Sequence, residues 1–305
     1  MRVVVTGGAG FIGSHLVDAL VARGDQVTVI DDFSTGKEPN LNPAAEVCRL
    51  DIGSTDAADL IRRLRPKVVS HHAAQMSVTQ CVRDPLADAR INIIGGLNIL
   101  EAAASSGARF MFSSTGGALY GDADQLPTPE SYRPWPVSPY GVAKLSFEHY
   151  LHCYGALDRI RFTVLRYANV YGPRQNPHGE AGVVAIFCQA LIQGREAVVN
   201  GDGLQTRDYV HVADIVRANL AALDSDENGI YNVGTSVETD VNTIYELLRK
   251  SLGSDALARH GPAKPGEQRT SALDSTLIQE RLNWRATLGL EEGLAETAAW
   301  FRGEE

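Results

Sequence analysis

The chain has 305 residues, 44% of them apolar and 21% charged, and its 28 basic against 37 acidic side chains give a formal net charge of −9. That length supports a large domain with a smaller companion, and the composition is globular, without an apolar run long enough to span a bilayer. The acidic balance and the lack of basic clusters exclude a nucleic-acid or anionic-membrane surface, so an anionic ligand must be held by a few placed arginines.

Met1 runs directly into an apolar strand at Val3 to Val5, which leaves no room for a secretory signal, and the protein is expected in the cytoplasm. The first half then alternates short apolar runs with amphipathic stretches: Arg2 to Thr6, Ser14 to Arg23, Val27 to Asp31, Val68 to Ser70, Asn92 to Ser105 and Arg109 to Ser113. This rhythm predicts an α/β fold with a doubly wound parallel sheet of Rossmann type. Turn residues at Gly24-Asp25 and Gly107-Ala108 separate the units, and Ile160 to Leu165 reads as a further buried strand. Beyond Asn169 the pattern loosens through Tyr171 to Glu180 before an apolar helix at Val183 to Leu191. The stretches at Asp208 to Leu223 and Tyr231 to Gly234 again look like helix and strand of the first domain. The expected division is therefore discontinuous. Residues 1–170 plus about 205–236 form the Rossmann domain, and about 171–204 plus 237–305 form a smaller α/β substrate domain. Gly261 to Gly266 reads as a loop.

Cys48, Cys81, Cys153 and Cys188 are scattered without a CxxC pair and read as reduced core thiols. The histidines offer only the adjacent His71 and His72, so no metal site is expected.

Thr6 to Gly13 reads TGGAGFIG between a strand and a helix, with Gly8, Gly10 and Gly13 at GxGxxG spacing. Glycines there permit the tight turn, let backbone amides approach a pyrophosphate and allow the helix to pack closely, with its dipole facing the anion. The next strand ends in Asp31-Asp32, where an acid meets the adenosine ribose; Asp31 would repel a 2'-phosphate, which favours NAD over NADP, with Lys37 as the counter-signal. Asp51-Ile52 ends another strand and borders the adenine, or is an ordinary strand end.

Ser138-Pro139 is placed as cap and first turn of a helix running to Tyr154, which puts Tyr140 and Lys144 on one face at i and i+4. A phenol with an ordinary pKa near ~10 needs a nearby cation to act as a base at neutral pH, and an ammonium one turn away supplies it. Ser113-Ser114-Thr115-Gly116-Gly117 closes another strand and places hydroxyls at the carboxyl edge of a parallel sheet, where ligands bind.

Together, TGGAGFIGSHL at 6–16, DDFSTG at 31–36, HHAAQMSV at 71–78, Asn92 in INIIG, SSTGGALYG at 113–121, SPYGVAK at 138–144, LRYANVYGPRQ at 165–175 and GDGLQTRDYVHVADI at 201–215 resemble the extended short-chain dehydrogenase/reductase family, most closely its UDP-glucose 4-epimerase branch. The resemblance covers nearly the whole chain. It implies Tyr140 as acid/base, Lys144 on the nicotinamide ribose and Thr115 bridging phenol and sugar hydroxyl. It implies that NAD is held by Gly7, Gly10, Phe11, Ile12, Gly13, Asp31, Asp32, Ser34, Thr35, Gly36, Asp51, Ile52, Ala73, Ala74, Gln75, Asn92, Ser113 and Tyr167 together with Tyr140 and Lys144. For the nucleotide sugar it implies Gln75, Thr115, Gly116, Gly117, Tyr140, Asn169, Val183 and Val184. Arg207 and Arg269 would meet the diphosphate. Asn200 stands where an aromatic residue commonly borders uracil, Glu267 replaces an Asp on the uridine ribose, and Ser271 falls near a position whose bulk limits sugar substituents. A homodimer through the Asn92 to Ser105 and Tyr140 to Tyr154 helices is implied as well, with Leu97, Ile99, Leu145, Phe147 and Leu151 suited either to it or to the domain's own core.

The implied reaction is epimerisation at C4 of UDP-glucose and UDP-galactose through a 4-keto sugar. Dehydratases and decarboxylases of the family carry an acid after the Ser/Thr of the third motif, where Gly116-Gly117 stands here. The glycines also leave space near C6, so UDP-glucuronate is the alternative substrate, with Arg174 either meeting its carboxylate or anchoring its own loop. A 4,6-dehydratase and a non-catalytic NAD-binding protein are the more distant readings.

Overall fold

The computed structural model describes residues 1–178, 182–263 and 268–303. Its large sheet has seven strands in the order β10-β6-β5-β4-β1-β2-β3, all pairs parallel: β1 Arg2–Thr6, β2 Gln26–Asp31, β3 Glu46–Arg49, β4 Val68–His71, β5 Arg109–Thr115, β6 Phe162–Tyr167 and, far along the chain, β10 Gly229–Val233. The order reverses at β1, whose neighbours are β2 and β4, so the carboxyl ends of β1 and β4 form the crevice where such sheets bind ligands.

Helices cover both faces. On one side α1 (Phe11–Ala22) packs against α9 (Val212–Asp224), and Leu16, Val17 and Leu20 join Val3, Val5 and Ile215 in a closed core. On the other, α2 (Thr55–Leu64), α5 (Gly96–Ser106) and α7 (Pro139–Ala156) bury Ile61, Ile99, Leu100, Phe147 and Leu151 against Phe110 and Val164. Each fully buried side chain of this size contributes roughly 1.5–3 kcal/mol. Short helices α3 (Val78–Arg83) and α4 (Pro85–Ala89) lead into a π-helical turn, Arg90–Gly95, before α5, and α6 (Gly116–Leu119) follows β5.

A smaller unit has its own core. β7 (Asn169–Tyr171), β9 (Thr206–His211) and β11 (Glu238–Asp240) form a three-stranded sheet, and β8 (Val198–Asn200) pairs with β12 (Arg259–Gly261). Helices α8 (Val183–Ile192), α10 (Val241–Ser251) and α12 (Leu290–Arg302) enclose Phe187, Tyr245, Leu248 and Leu294, and α11 (Thr276–Leu282) packs back on β10. The segment expected to rejoin the large domain as a helix from Asp208 splits: β9 pairs with β7 and β11, and the chain returns only at α9 and β10.

None of the four cysteines is in a disulfide, but the expectation of core thiols needs correction. Cys81 and Cys188 are buried, Cys48 is partly covered, and Cys153 is exposed because it falls on the outer face of α7. Among the described residues no helix is long and apolar enough to cross a membrane and no cluster of His, Cys, Asp and Glu could hold a metal.

Candidate active site

The glycine turn is shaped by sterics. Gly7 has φ +70°, and a Cβ there would lie 2.6 Å from the Ala73 amide nitrogen; at Gly13 it would lie 2.2 Å from the Gly7 carbonyl oxygen. Gly8 instead packs on Val29, where a Cβ would meet the methyls at 2.8 Å. The turn delivers the chain into α1, whose N-terminus carries no side-chain cap and no acid in its first turn. The positive end of the helix dipole and the first amides of Phe11 and Ile12 are thus left for an anion, which fits the pyrophosphate of NAD.

Asp31 is buried at the end of β2. Its carboxylate accepts from the Ala9 and Phe33 amides, both at 2.9 Å, and a Cβ at Gly36 would press on it at 2.7 Å. It ties the glycine turn to the 31–36 loop. Asp32 is exposed and binds Ser34, while Ser34 and Thr35 are open to solvent. Asp51 is exposed and Ile52 packs its side chain into the core under Gly95, leaving its backbone to border a cofactor; the two lie in the turn after β3, which ends at Arg49, and not at the strand end itself. Tyr167 is a second correction. Its ring lies in the core beside α9 and its hydroxyl is 3.1 Å from Asn219 Oδ1, to which it donates, so it does not line the crevice.

Around the crevice floor, Thr6 Oγ1 accepts from the Ala73 amide, and Asn92 clamps the loop after β4 at Gln75. The Gln75 amide donates to Asn92 Oδ1 at 3.0 Å, and Asn92 Nδ2 donates to the Gln75 carbonyl and to Asp88 Oδ1, both at 2.9 Å. Gln75 Nε2 also donates to Asp88. Sequence reasoning missed Asp88, although its i, i+4 spacing to Asn92 was available. Burial raises its carboxyl above the usual range.

Ser138 caps α7 through the Gly141 amide and sets the helix start, so Tyr140 and Lys144 stack one turn apart. Lys144 is buried, and Nζ donates to the Ser113 carbonyl at 3.0 Å and sits 4.7 Å from the Phe112 ring centroid and 5.8 Å from that of Tyr140. Burial brings its ammonium down to about 8, against the opposing pull of Asp88 and Glu148. Burial also pushes the Tyr140 phenol well above its ordinary value, and Asp88 and Cys81 add to that. The expected lowering of the phenol by Lys144 is therefore outweighed within this chain by loss of water. The positive charge of an oxidised nicotinamide would act against that rise, in the same sense as Lys144.

Thr115 closes β5 and accepts from the Ala118 amide at 3.3 Å, capping α6, while Ser113 Oγ donates to the His71 carbonyl. Gly116 corrects the expectation of open space: Leu273 covers it, and a Cβ would lie 2.3 Å from Leu273 Cδ1. Gly117 faces Asn169, whose Oδ1 would be 3.4 Å from a Cβ there. Leu273 is held by Asp208, a buried carboxylate that also accepts from Thr235 and Ser236. No local sequence signal joins these segments.

The nucleotide-side residues lie on the smaller unit. Asn200 ends β8 and Arg207 is in β9, one residue from Thr206, whose amide donates to the Arg269 carbonyl at 2.9 Å. Arg269 is exposed and forks onto Asp202 at 2.8 and 2.9 Å, a pairing it must leave to meet a diphosphate. Val183 opens α8, but Val184 is buried in the small core and offers only its amide. Ser271 is buried. Glu267 lies outside the described residues. Arg174 pairs with Asp18 of α1 at 2.7 Å and anchors its own loop.

The sequence profile of the NAD dependent epimerase/dehydratase family matches residues 3–234. The chain is 42% identical over 311 residues to the UDP-glucose 4-epimerase of Mycolicibacterium smegmatis, covering 100% of this chain and 99% of that one. Among solved structures it is similar to the UDP-glucose 4-epimerase of Thermotoga maritima with UDP-glucose, at 47% identity and TM-score 0.96 over 100% of this chain and 99% of that one. It is similar as well to the Thermus thermophilus UDP-glucose 4-epimerase in complex with NAD, at 42% identity and TM-score 0.95 over 100% of both chains.

Proposed function

The chain belongs to the NAD dependent epimerase/dehydratase family, and from that membership we propose that it is a UDP-glucose 4-epimerase, interconverting UDP-glucose and UDP-galactose through a transient 4-keto sugar. The observation that carries this reading is the stacking of Tyr140 and Lys144 beside the hydroxyl-bearing end of β5, followed by glycines rather than an acid.

The larger unit holds NAD, with its pyrophosphate at the N-terminus of α1 and its adenosine ribose beside Asp31 and Asp32. The smaller unit, through Asn200, Arg207 and Arg269, holds the nucleotide end of the sugar. Tyr140 removes the proton from the sugar O4 and later returns it, with Thr115 sharing the hydrogen bond and Lys144 stabilising the phenolate. NAD, when bound beside C4, would supply the hydride acceptor and donor that the transient oxidation needs. The absence of a carboxyl at 116 and 117 removes the acid that elimination would need, and Leu273 over Gly116 with Arg174 held by Asp18 favours a hydroxymethyl group at C6 over a carboxylate.

Proton NMR of the purified protein without added cofactor, with UDP-glucose and UDP-glucuronate in separate tubes, tests the assignment. A new galactose-type anomeric signal is expected from UDP-glucose. Conversion of UDP-glucuronate alone would transfer the activity to the uronate, and conversion of neither would reject epimerisation of these sugars.

The protein works as a homodimer in the cytoplasm, a setting that four cysteines outside any disulfide fit. Of the side chains expected at the dimer seam, Ile99, Phe147 and Leu151 belong to the chain's own core, because α5 and α7 must first cover the sheet. The apolar surface left on these helices is Ile91 and Ile94 of the π turn with Val142 and Tyr150 of α7, and Ile94 is 61% exposed. Size-exclusion chromatography with light scattering is expected to give a dimer, and Ile94→Asp with Val142→Asp a monomer; a monomeric parent protein would remove the proposal.

A further inference from the structure

α7 carries a further polar residue, buried like Lys144, on the face of Tyr140 and Lys144. Glu148 lies one turn beyond Lys144, and its carboxylate is sealed from water, as are its partners Ser114 and Arg166. Ser114 Oγ donates to Glu148 Oε1 at 2.6 Å; Arg166 Nη2 donates to Oε2 at 2.6 Å and its Nε to both oxygens at 3.1 and 3.2 Å. Ser114 and Arg166 are register partners on adjacent strands β5 and β6. Arg166 Nη1 donates to the Tyr120 hydroxyl at 2.7 Å, which donates to Asn232 of β10 at 2.9 Å. One carboxylate on α7 thus fixes the helix against three strands, and its Ser114 tether is the residue before Thr115.

We propose that Glu148, through Ser114 and Arg166, is a positioning residue of the reaction, setting the axial register of Tyr140 and Lys144 over Thr115. The proposal rests on the assignment of the chemistry to these three residues. A small slide of α7 changes the distance of the phenol from a hydroxyl fixed at a strand end, and misplacement on the ångström scale costs catalysis heavily. The charge acts separately: Glu148 opposes the loss of the Lys144 proton that burial promotes, so neutralising it lowers the pH at which the ammonium is lost. The other groups facing Lys144 are Asp88, which acts in the same sense, and His71 and His72, which burial keeps neutral.

Three variants of the NAD-loaded protein separate positioning from mere stability. Ser114→Ala removes one tether and no charge; it is expected to lower kcat about tenfold at unchanged KM, with the alkaline limb of the pH profile in place. Glu148→Gln leaves a buried guanidinium uncompensated and unstable, so Glu148→Met with Arg166→Met serves as its folded counterpart. In either, kcat is expected to fall and the alkaline limb, near the Lys144 value of about 8, to move to lower pH. Titration of Lys144 by nitrogen NMR in the double variant is expected to show the same shift without any turnover. Lower thermal stability with parental kcat and pH profile in Ser114→Ala and in the double variant would overturn the proposal. An inactive parent protein would instead reject the functional assignment itself.

Discussion

Tyr140→Phe is expected to cut kcat by roughly 10²- to 10⁴-fold while leaving the fold and cofactor retention intact, because it removes only the proton carrier. The ring remains, still flanked by the Lys144 ammonium at 5.8 Å, and the backbone contact of Tyr140 with Cys81 Sγ does not involve the phenol. The size of the loss is that of removing a positioned general acid/base. Turnover of UDP-glucose by the purified variant, with circular dichroism to confirm folding, checks this. Near-parental turnover would transfer the acid/base role elsewhere, and Asp88 would then be the first residue to examine.

The second large effect is expected from Gly13→Ala. The added methyl would lie 2.2 Å from the Gly7 carbonyl oxygen, 2.9 Å from its carbonyl carbon and 3.1 Å from the Gly8 Cα. All three are backbone atoms, so no side-chain rotation relieves the clash; α1 must lift from the turn. Overpacking of this kind costs about 1–3 kcal/mol, and lifting the helix also withdraws its N-terminal amides from the pyrophosphate. The expected result is a lower melting temperature and a protein that leaves gel filtration without NAD. Gly289→Ala is the control, since a Cβ there meets nothing within 4 Å. It should fall within about 0.5 kcal/mol of the parent. Retention of NAD at parental stability by Gly13→Ala would contradict the reading of the turn.

The parts of the site readable in the sequence are those whose chemistry is local. The glycine turn announces itself because strand, turn and helix are contiguous, and Ser138-Pro139 marks the start of α7 within two residues of Tyr140. What escaped depends on which way a strand residue points. All six residues of β6 are buried, since helices cover both faces, so alternation gives no clue that Tyr167 turns to α9 and Arg166 to α7. Ile52 escaped for another reason: it lies in the turn beyond β3, where strand alternation does not apply. β9 reads as part of a helix because its apolar Tyr209 and Val210 run through His211 straight into Val212 of α9 without a breaker. The Leu273 to Gly116 contact and the Asp208 hub join segments far apart in the chain, which no window of sequence can register.

The most direct test of transient oxidation uses UDP-glucose carrying deuterium at C4, incubated with the purified protein in ordinary water without added cofactor. UDP-galactose that retains the deuterium at C4, formed more slowly than from the unlabelled sugar, is the expected result. Product in which the C4 deuterium has been replaced by solvent hydrogen would mean that C4 is inverted by proton removal and return, and the assignment of hydride chemistry to this site would be wrong.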